Sequence, residues 1–275
     1  MQKWSDGYID ACGTKLHYYR SGGEKPSLVL VHGMTDDGLC WTPVAEILSK
    51  SYDTVMVDIR SHGKSEAPDD GYNYETMAKE LSCLISKLGL IHPVIVGHSM
   101  GAMISLILAG LFPELPVAIL LEDPPPLWIP PRSLSEEEEH LASMKVWIMD
   151  LKTKTYTELL AEAHQFNPDW SEKELEPWAK SKQRFNLKIL SLINSEPNIQ
   201  SGIPKIIKQI TCPVLLITAD TDRGAILTEA DVIELQKLLP DLIVTNITGA
   251  GHNIRRNQFT SYMNVVKNFL SRHTN

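Results

Sequence analysis

Short aliphatic runs recur along this chain and alternate with longer stretches whose apolar residues are spaced as on one face of a helix. Residues 28–31, 94–96 and 214–217 are typical of the runs. Strands that are buried on both faces have such near-continuous aliphatic sequences, and they occur in parallel sheets. Parallel neighbours need long crossover connections, which the amphipathic stretches supply as helices. The pattern predicts an α/β fold whose mostly parallel sheet has helices on both faces.

Two parts of the chain depart from this alternation. Residues 8–11 and 15–19 are strand candidates on either side of Gly13, which can adopt the positive φ of a tight hairpin turn. They predict an antiparallel edge, which brings the sheet to eight strands. The second departure begins at Pro124 and is mostly helical up to residue 208. We therefore expect a core formed by residues 1–123 and 209–275, with residues 124–208 inserted as a helical cap.

Charge and hydropathy narrow the possible partners. The 275 residues include 26 basic and 34 acidic side chains, which give a formal net charge of −8. That balance opposes binding to nucleic acid or to an anionic membrane. No stretch reaches the roughly 18 apolar residues of a membrane-spanning helix, and the first residues lack the apolar segment of a signal peptide. We expect a cytoplasmic protein that binds neither membranes nor nucleic acid, and the sequence leaves its oligomeric state open.

The four cysteines, Cys12, Cys40, Cys83 and Cys212, are widely separated and include no C-x-x-C pair. No histidine stands near them at zinc-site spacing, and no glycine-rich phosphate loop follows a predicted strand. We therefore expect the cysteines to be small buried hydrophobes. We expect neither a metal nor another cofactor.

The most informative motif is Gly97-His98-Ser99-Met100-Gly101, which directly follows an aliphatic run and precedes an apolar helical stretch. A serine on a tight strand-to-helix turn has a strained backbone that presents its hydroxyl, and the flanking glycines leave room for neighbouring backbone. The free N–H groups at the start of the helix favour negative charge that develops on a substrate oxygen. This context predicts that Ser99 is a nucleophile.

Three further segments extend this interpretation. They are His32-Gly33-Met34-Thr35, residues 58–65 and Gly249-Ala250-Gly251-His252, each of which follows a predicted strand. Together with the motif around Ser99, they make the chain resemble the α/β-hydrolase superfamily over nearly its whole length outside the cap. The resemblance implies a triad in the chain order nucleophile, acid, histidine, with His252 as general base and acid. It also implies an esterase-like serine hydrolase with an inserted helical cap.

The acid of the triad has several candidates. Asp222 stands at the acid position after a stretch that resembles the seventh strand of the family. The following Arg223-Gly224-Ala225-Ile226 departs from the family pattern, so Asp220 is the second candidate. The third is Asp123, or its neighbour Glu122, at the end of the sixth strand, where some members of the family have their acid.

The resemblance assigns the two oxyanion donors to the backbone N–H groups of Met34 and Met100. In the cap, Trp128, Met144 and Trp147 are candidates for lining a substrate pocket, because large apolar side chains in a lid can cover a cleft. These residues favour a small, uncharged apolar substrate.

We expect a serine hydrolase that cleaves a carboxylic ester, lactone or thioester through an acyl-enzyme. Carbon–carbon bond hydrolysis and perhydrolysis are possible with the same triad. A small-molecule receptor that retains the hydrolase fold is an alternative of a different class. Haloalkane dehalogenases and epoxide hydrolases of this fold match poorly, because they have an aspartate where Ser99 stands.

Overall fold

The computed structural model describes residues 4–130, 133–194 and 202–274. Its strands are β1 Ser5–Ala11, β2 Thr14–Arg20, β3 Ser27–Val31, β4 Asp53–Asp58, β5 Val94–His98, β6 Ala118–Glu122, β7 Val214–Thr218 and β8 Ile243–Asn246. They form one sheet in the order β1-β2-β4-β3-β5-β6-β7-β8. β2 pairs antiparallel with β1 and β4, and all other pairs are parallel. The predicted eight-stranded, mostly parallel sheet is confirmed.

Helices cover both faces of the sheet. They are α1 Thr42–Leu48, α2 Tyr74–Lys87, α3 Met100–Leu111, α4 Leu134–Thr153, α5 Tyr156–Phe166, α6 Glu172–Arg184, α7 Leu190–Asn194, α8 Ile203–Ile207, α9 Glu229–Leu238, α10 Ile254–Asn257 and α11 Phe259–His273. Helices α1 and α11 pack on one face, and α2, α3 and α9 pack on the other. Within the described residues, no helix combines the length and the apolar character that crossing a bilayer requires.

The central strands contact two hydrophobic cores. In β3, Leu28 and Leu30 face the core that includes α1 and α11, whereas Val29 and Val31 face the core that includes α2 and α3. Successive side chains of a strand point to opposite faces, so a strand covered on both sides needs an apolar residue at every position. This requirement explains the near-continuous aliphatic runs.

The chain between β6 and β7 forms helices α4 to α8 in its described parts. Helix α8 packs against α3 so closely that a side chain on Gly110 would collide with the Ile206 backbone. Residues 131–132 and 195–201 of the predicted cap lie outside the described residues. The division of the chain into a core and a cap at residues 124–208 stays a prediction.

Cys12 and Cys83 form a disulfide that joins the turn between β1 and β2 to α2. The expectation that all four cysteines are isolated buried hydrophobes is therefore wrong for this pair. The pairing is hidden in the sequence by a separation of 71 residues, and α2 packs beside β1 only in the folded chain. Cys40 and Cys212 are free thiols, and burial raises their pKa values to about 12 and about 11.

Gly101, in the first turn of α3, lies directly against the chain after β3. A β-carbon on Gly101 would collide with the Val31 carbonyl oxygen and would lie 2.6 Å from the His32 carbonyl oxygen. Overpacking typically costs about 1–3 kcal/mol, and here the added carbon meets backbone atoms. We therefore expect Gly101→Ala to lower the free energy of unfolding by about 3 kcal/mol or more. Urea denaturation measures this loss.

Gly202→Ala is the matched control, because nothing lies within 4 Å of the added carbon. Its expected effect is below about 0.5 kcal/mol. Equal losses in the two variants would contradict the close packing of α3 on β3.

Candidate active site

Ser99 occupies the turn between β5 and α3 with a φ of 54°, a value that strains any residue other than glycine. Its N–H donates to the Glu122 carbonyl oxygen at 2.9 Å, which holds the turn against the end of β6. A β-carbon on Gly97 would lie 2.6 Å from Ala102 Cα, so only glycine fits there. The structure has the tight strand-to-helix turn that the motif predicts.

His252 lies in the loop between β8 and α10, and its Nδ1 is 2.7 Å from Asp123 Oδ2. Asp123 directly follows β6, is fully buried and has a φ of 44°. A carboxylate only accepts hydrogen bonds, so Nδ1 of His252 carries the ring proton. This tautomer leaves Nε2 of His252 able to accept a proton from another group.

Two backbone amides hold the Asp123 carboxylate in place. Oδ2 also accepts a hydrogen bond from Ile226 N at 2.9 Å, and Oδ1 accepts one from Leu227 N at 3.1 Å. Hydrogen bonds of this kind compensate a buried carboxylate for the water it has lost. The loop whose sequence departs from the family pattern therefore brings its amides to Asp123.

The preference for Asp222 among the acid candidates is corrected by this geometry. A 3₁₀ turn at Thr221–Arg223, followed by Gly224 with a φ of 92°, leaves Asp222 exposed to solvent. The third candidate, Asp123, is the carboxylate that contacts His252. The tip of β6 lies one strand closer to β5 than the tip of β7 does, so it is nearer to Ser99.

The two other acid candidates hold the chain on either side of His252. Asp220 accepts a hydrogen bond from Gly249 N at 2.7 Å, which fixes the start of the histidine loop. Glu122 accepts hydrogen bonds from the Arg255 backbone N–H at 2.9 Å and from its guanidinium at 3.2 Å, which fixes the end of the loop. Both carboxylates position the backbone around His252 rather than its ring.

The turn of Ser99 and the histidine loop meet at His98. Within the described residues, no hydrogen bond joins Ser99 Oγ to His252. The distance between a catalytic hydroxyl and its base often becomes short enough for a hydrogen bond only when substrate binds. His98 Nε2 lies 3.0 Å from the His252 carbonyl oxygen, and the two ring centroids are 4.8 Å apart. Burial lowers the pKa of His98 well below its usual value, so the ring is neutral and donates through Nε2. His98, the residue directly before Ser99, thus holds the backbone of His252.

The loop after β3 lies over the turn of Ser99. A β-carbon on Gly33 would lie 3.4 Å from Ser99 Cβ and 3.0 Å from His98 Nδ1. Met100 is the first residue of α3, where N–H groups have no partner inside the helix. The Gly33–Met34 peptide and the Met100 amide therefore flank Ser99.

His32 orients the Gly33–Met34 peptide. The Ile59 N–H donates to His32 Nε2 at 3.0 Å, so the ring proton is on Nδ1, which donates to the Gly33 carbonyl oxygen at 2.8 Å. Asp36 N donates to the same oxygen at 3.1 Å. Burial lowers the pKa of His32 to about 3, so this tautomer persists at neutral pH. A trans peptide points its N–H opposite to its C=O, so these bonds direct the Met34 N–H.

The predicted pocket residues occupy three different environments. Trp128 is buried, and its indole N–H donates to the Asp231 carbonyl oxygen in α9 at 3.0 Å. Met144 is half-buried and packs against the core that includes α2 and α3, whereas 47% of Trp147 is exposed. Trp128 therefore joins the chain after β6 to α9, and Trp147 is about half exposed. A pocket role for Trp128, Met144 and Trp147 stays a prediction.

A buried charged cluster beside the site escaped sequence analysis. Its members are Asp36, Glu122, Glu174, Lys182, Arg255 and Arg256. In the sequence, only the positions of some members indicate that the cluster lies near the site: Asp36 closely follows Met34, and the arginines closely follow His252. Among the described residues, no group of three or more histidine, cysteine, aspartate or glutamate side chains is arranged to bind a metal.

A model of the alpha/beta hydrolase family matches residues 28–258 of the chain. The protein belongs to this family, which confirms the resemblance, the predicted fold and the general class of hydrolase.

Relatives match over almost the whole length. N-formylmaleamate deformylase from Pseudomonas putida is 27% identical over 269 residues, which are 96% of either chain. 2-(Acetamidomethylene)succinate hydrolase from Mesorhizobium japonicum is 24% identical over 261 residues, which are 91% of this chain and 90% of the relative. The crystal structure of E-2-(acetamidomethylene)succinate hydrolase has a TM-score of 0.80 at 20% identity and covers 98% of this chain and 100% of its own.

Asp123→Asn should remove the charge that stabilises protonated His252 and turn one of the two acceptor oxygens into an amide donor, which disfavours the present tautomer of His252. We expect kcat to fall about 10⁴-fold in any hydrolytic assay that depends on Ser99, with the fold retained. Asp222→Asn is the control, and its expected change is within about twofold because Asp222 is exposed. Loss of turnover in Asp222→Asn with full turnover in Asp123→Asn would reinstate the first candidate.

Proposed function

We propose that the protein is a serine hydrolase that cleaves a carboxylic ester, lactone or thioester of a small substrate through an acyl-enzyme. The observation that carries this proposal is the 2.7 Å contact between His252 Nδ1 and Asp123 Oδ2 beside the turn of Ser99. A serine on a strained turn, an imidazole and a buried carboxylate together form a complete set of groups for acyl transfer.

In the first step, Ser99 Oγ attacks the substrate carbonyl carbon while His252 Nε2 accepts the hydroxyl proton. Asp123 stabilises the imidazolium without taking its proton. The carbonyl oxygen becomes negative and accepts hydrogen bonds from the Met34 and Met100 amides. When His252 donates its proton to the leaving alcohol or thiol, the carbon–heteroatom bond breaks and Ser99 is acylated.

In the second step, His252 Nε2 takes a proton from a water molecule as the water oxygen attacks the acyl carbon. The same two amides stabilise the second oxyanion. The proton then passes from His252 to Ser99 Oγ as the carboxylic acid leaves. The chain's own residues thus carry every proton transfer of the cycle.

Hydrolysis of an amide-type C–N bond is the second candidate function. It is favoured by the relatives named N-formylmaleamate deformylase and 2-(acetamidomethylene)succinate hydrolase, which match at least 90% of this chain. The same groups would act, with His252 protonating a leaving nitrogen in place of an oxygen. Because nitrogen is the poorer leaving group, an amide depends more strongly on that proton than an ester does.

The purified protein should hydrolyse p-nitrophenyl esters of short acyl chains. Ser99→Ala should lower kcat by about 10⁴-fold or more, because the attacking oxygen is lost. A fluorophosphonate should modify Ser99, and peptide mapping by mass spectrometry locates the adduct. Ser271→Ala, an exposed serine in α11, is the control and should retain the wild-type rate.

N-formyl and N-acetyl amides assayed beside the esters separate the two candidates. A higher kcat/KM for amides that is lost in Ser99→Ala would favour C–N hydrolysis. Turnover that Ser99→Ala leaves unchanged, or folded protein whose Ser99 resists the phosphonate, would contradict both candidates. In that case a receptor that retains the hydrolase fold becomes the better explanation.

A further inference from the structure

Helix α6, which belongs to the predicted cap, is joined to the core by four ion pairs between described residues. Lys173 pairs with Glu46 of α1 at 3.1 Å. Glu174 pairs with Arg256 at 3.3 Å, and two further pairs involve the chain just after β3. Lys182 contacts Asp36 at 2.8 Å, and Arg184 contacts Asp37 at 2.6 Å. This helix therefore contacts the loop that carries the Met34 amide.

Lys182 is fully buried and donates to two groups of that loop. Its Nζ lies 3.1 Å from the Thr35 carbonyl oxygen and 2.8 Å from Asp36 Oδ1. Ser181 Oγ is also 3.2 Å from the Thr35 carbonyl, but its single proton has a closer acceptor, the Trp178 carbonyl oxygen at 2.7 Å. Lys182 is therefore the main side-chain donor to Thr35.

Asp36 does not need Lys182 to balance its charge. The guanidinium groups of Arg256 and Arg255 lie 2.7 and 3.4 Å from Asp36 Oδ2. Burial alone would raise the pKa of Asp36, but Arg256, Lys182 and Arg255 together hold it well below its usual value. The particular contribution of Lys182 is to hold the Thr35 carbonyl and Asp36 Oδ1 at the same time.

Three successive carbonyl oxygens of the loop have polar side-chain partners. The Gly33 carbonyl accepts from His32 and from Asp36 N, and the Met34 carbonyl oxygen contacts His62 Nε2. The third is the Thr35 carbonyl, which accepts from Lys182 in α6. The first two carbonyls are thus held within the core, and the third depends on the predicted cap.

Holding Thr35 and Asp36 also affects the Met34 amide. The Asp36 N–H is one of the two donors to the Gly33 carbonyl, at 3.1 Å. That carbonyl shares a planar trans peptide with the Met34 N–H, so a rotation of one is a rotation of the other. Displacement of Asp36 would therefore turn the Met34 N–H away from its present direction.

We propose that Lys182 is a positioning residue for the oxyanion hole, which acts from α6 through Thr35 and Asp36 to aim the Met34 N–H. The inference rests on the proposed function, because it concerns the oxygen that becomes negative when Ser99 attacks. Lys182 does not touch that oxygen. An amide donor aimed in advance stabilises the transition state more than the bound substrate, so its misalignment lowers kcat rather than raising KM.

Lys182→Met removes the donor and keeps most of the buried volume. We expect kcat for the p-nitrophenyl esters to fall about 10- to 100-fold, less than the roughly 10²- to 10³-fold loss of a whole oxyanion donor. KM should change by less than about twofold, since only the transition state uses the aimed amide. The rate of fluorophosphonate inactivation should fall in parallel with kcat.

Arg184→Met is the matched control, because it breaks an ion pair between the same helix and the neighbouring Asp37. In the described residues, the Arg184 side chain contacts no carbonyl oxygen of the loop. Its kcat and KM should stay within about twofold of the wild type. Circular dichroism and thermal unfolding establish the fold of each variant. If Lys182→Met does not fold, Lys182→Gln keeps a polar group in the buried site. Its shorter side chain can keep part of the contact to the loop, so kcat should fall less than in Lys182→Met while KM again stays unchanged.

A fall in kcat for the Lys182 variant, with a constant KM and a normal Arg184→Met, supports the inference. Wild-type kcat in the Lys182 variant overturns it, as does an equal loss in Arg184→Met, which would mean that α6 acts only as packing. A raised KM with unchanged kcat also overturns it. Turnover that survives Ser99→Ala overturns the proposed function itself and the inference with it, so the two failures are distinguishable.

Discussion

Three parallel strands, β3, β5 and β6, lie side by side in the sheet, and the candidate active site depends on that order. Parallel strands end at the same edge of a sheet, so the segments that follow them meet. Met34, Ser99 and Asp123 each follow one of these strands, which are separated by about 4.8 Å from neighbour to neighbour. His252 follows β8, at the edge of the sheet, and its loop crosses the end of β7 to reach β6.

The long reach of the histidine loop explains the buried charges beside the site. The Arg255 guanidinium lies 3.2 Å from Glu122 and 3.4 Å from Asp36, so one side chain joins the histidine loop to the end of β6 and to the loop after β3. Buried ion pairs add little net stability, because desolvation of the charges offsets their attraction. Their geometry is specific, however, since a displaced loop would leave a charge unpaired. We infer that these charges define the relative positions of the three segments.

The strained turn of Ser99 could be predicted from the sequence because the residues that define it are contiguous. The strand before Ser99, the glycines around it and the helix after it are contiguous, so the turn with its φ of 54° can be recognised in a short stretch of sequence. The carboxylate that contacts His252 could not be predicted in the same way. Asp222 and Asp123 both follow buried strands, and Gly224 with its φ of 92° turns the loop so that Asp222 faces solvent while Ile226 N reaches Asp123.

By itself, the amino-acid sequence determined the order of strands and helices, the strained turn of Ser99 and the position of His252 along the chain, because hydrophobic periodicity and turn chemistry act between neighbouring residues. Only the tertiary structure decided that Asp123 contacts His252, that Cys12 pairs with Cys83 and that Lys182 holds the loop after β3. These contacts join residues that are 71 to 147 positions apart. Their distances depend on the order of strands in the sheet and on the course of each loop, and a linear pattern of residues does not contain either.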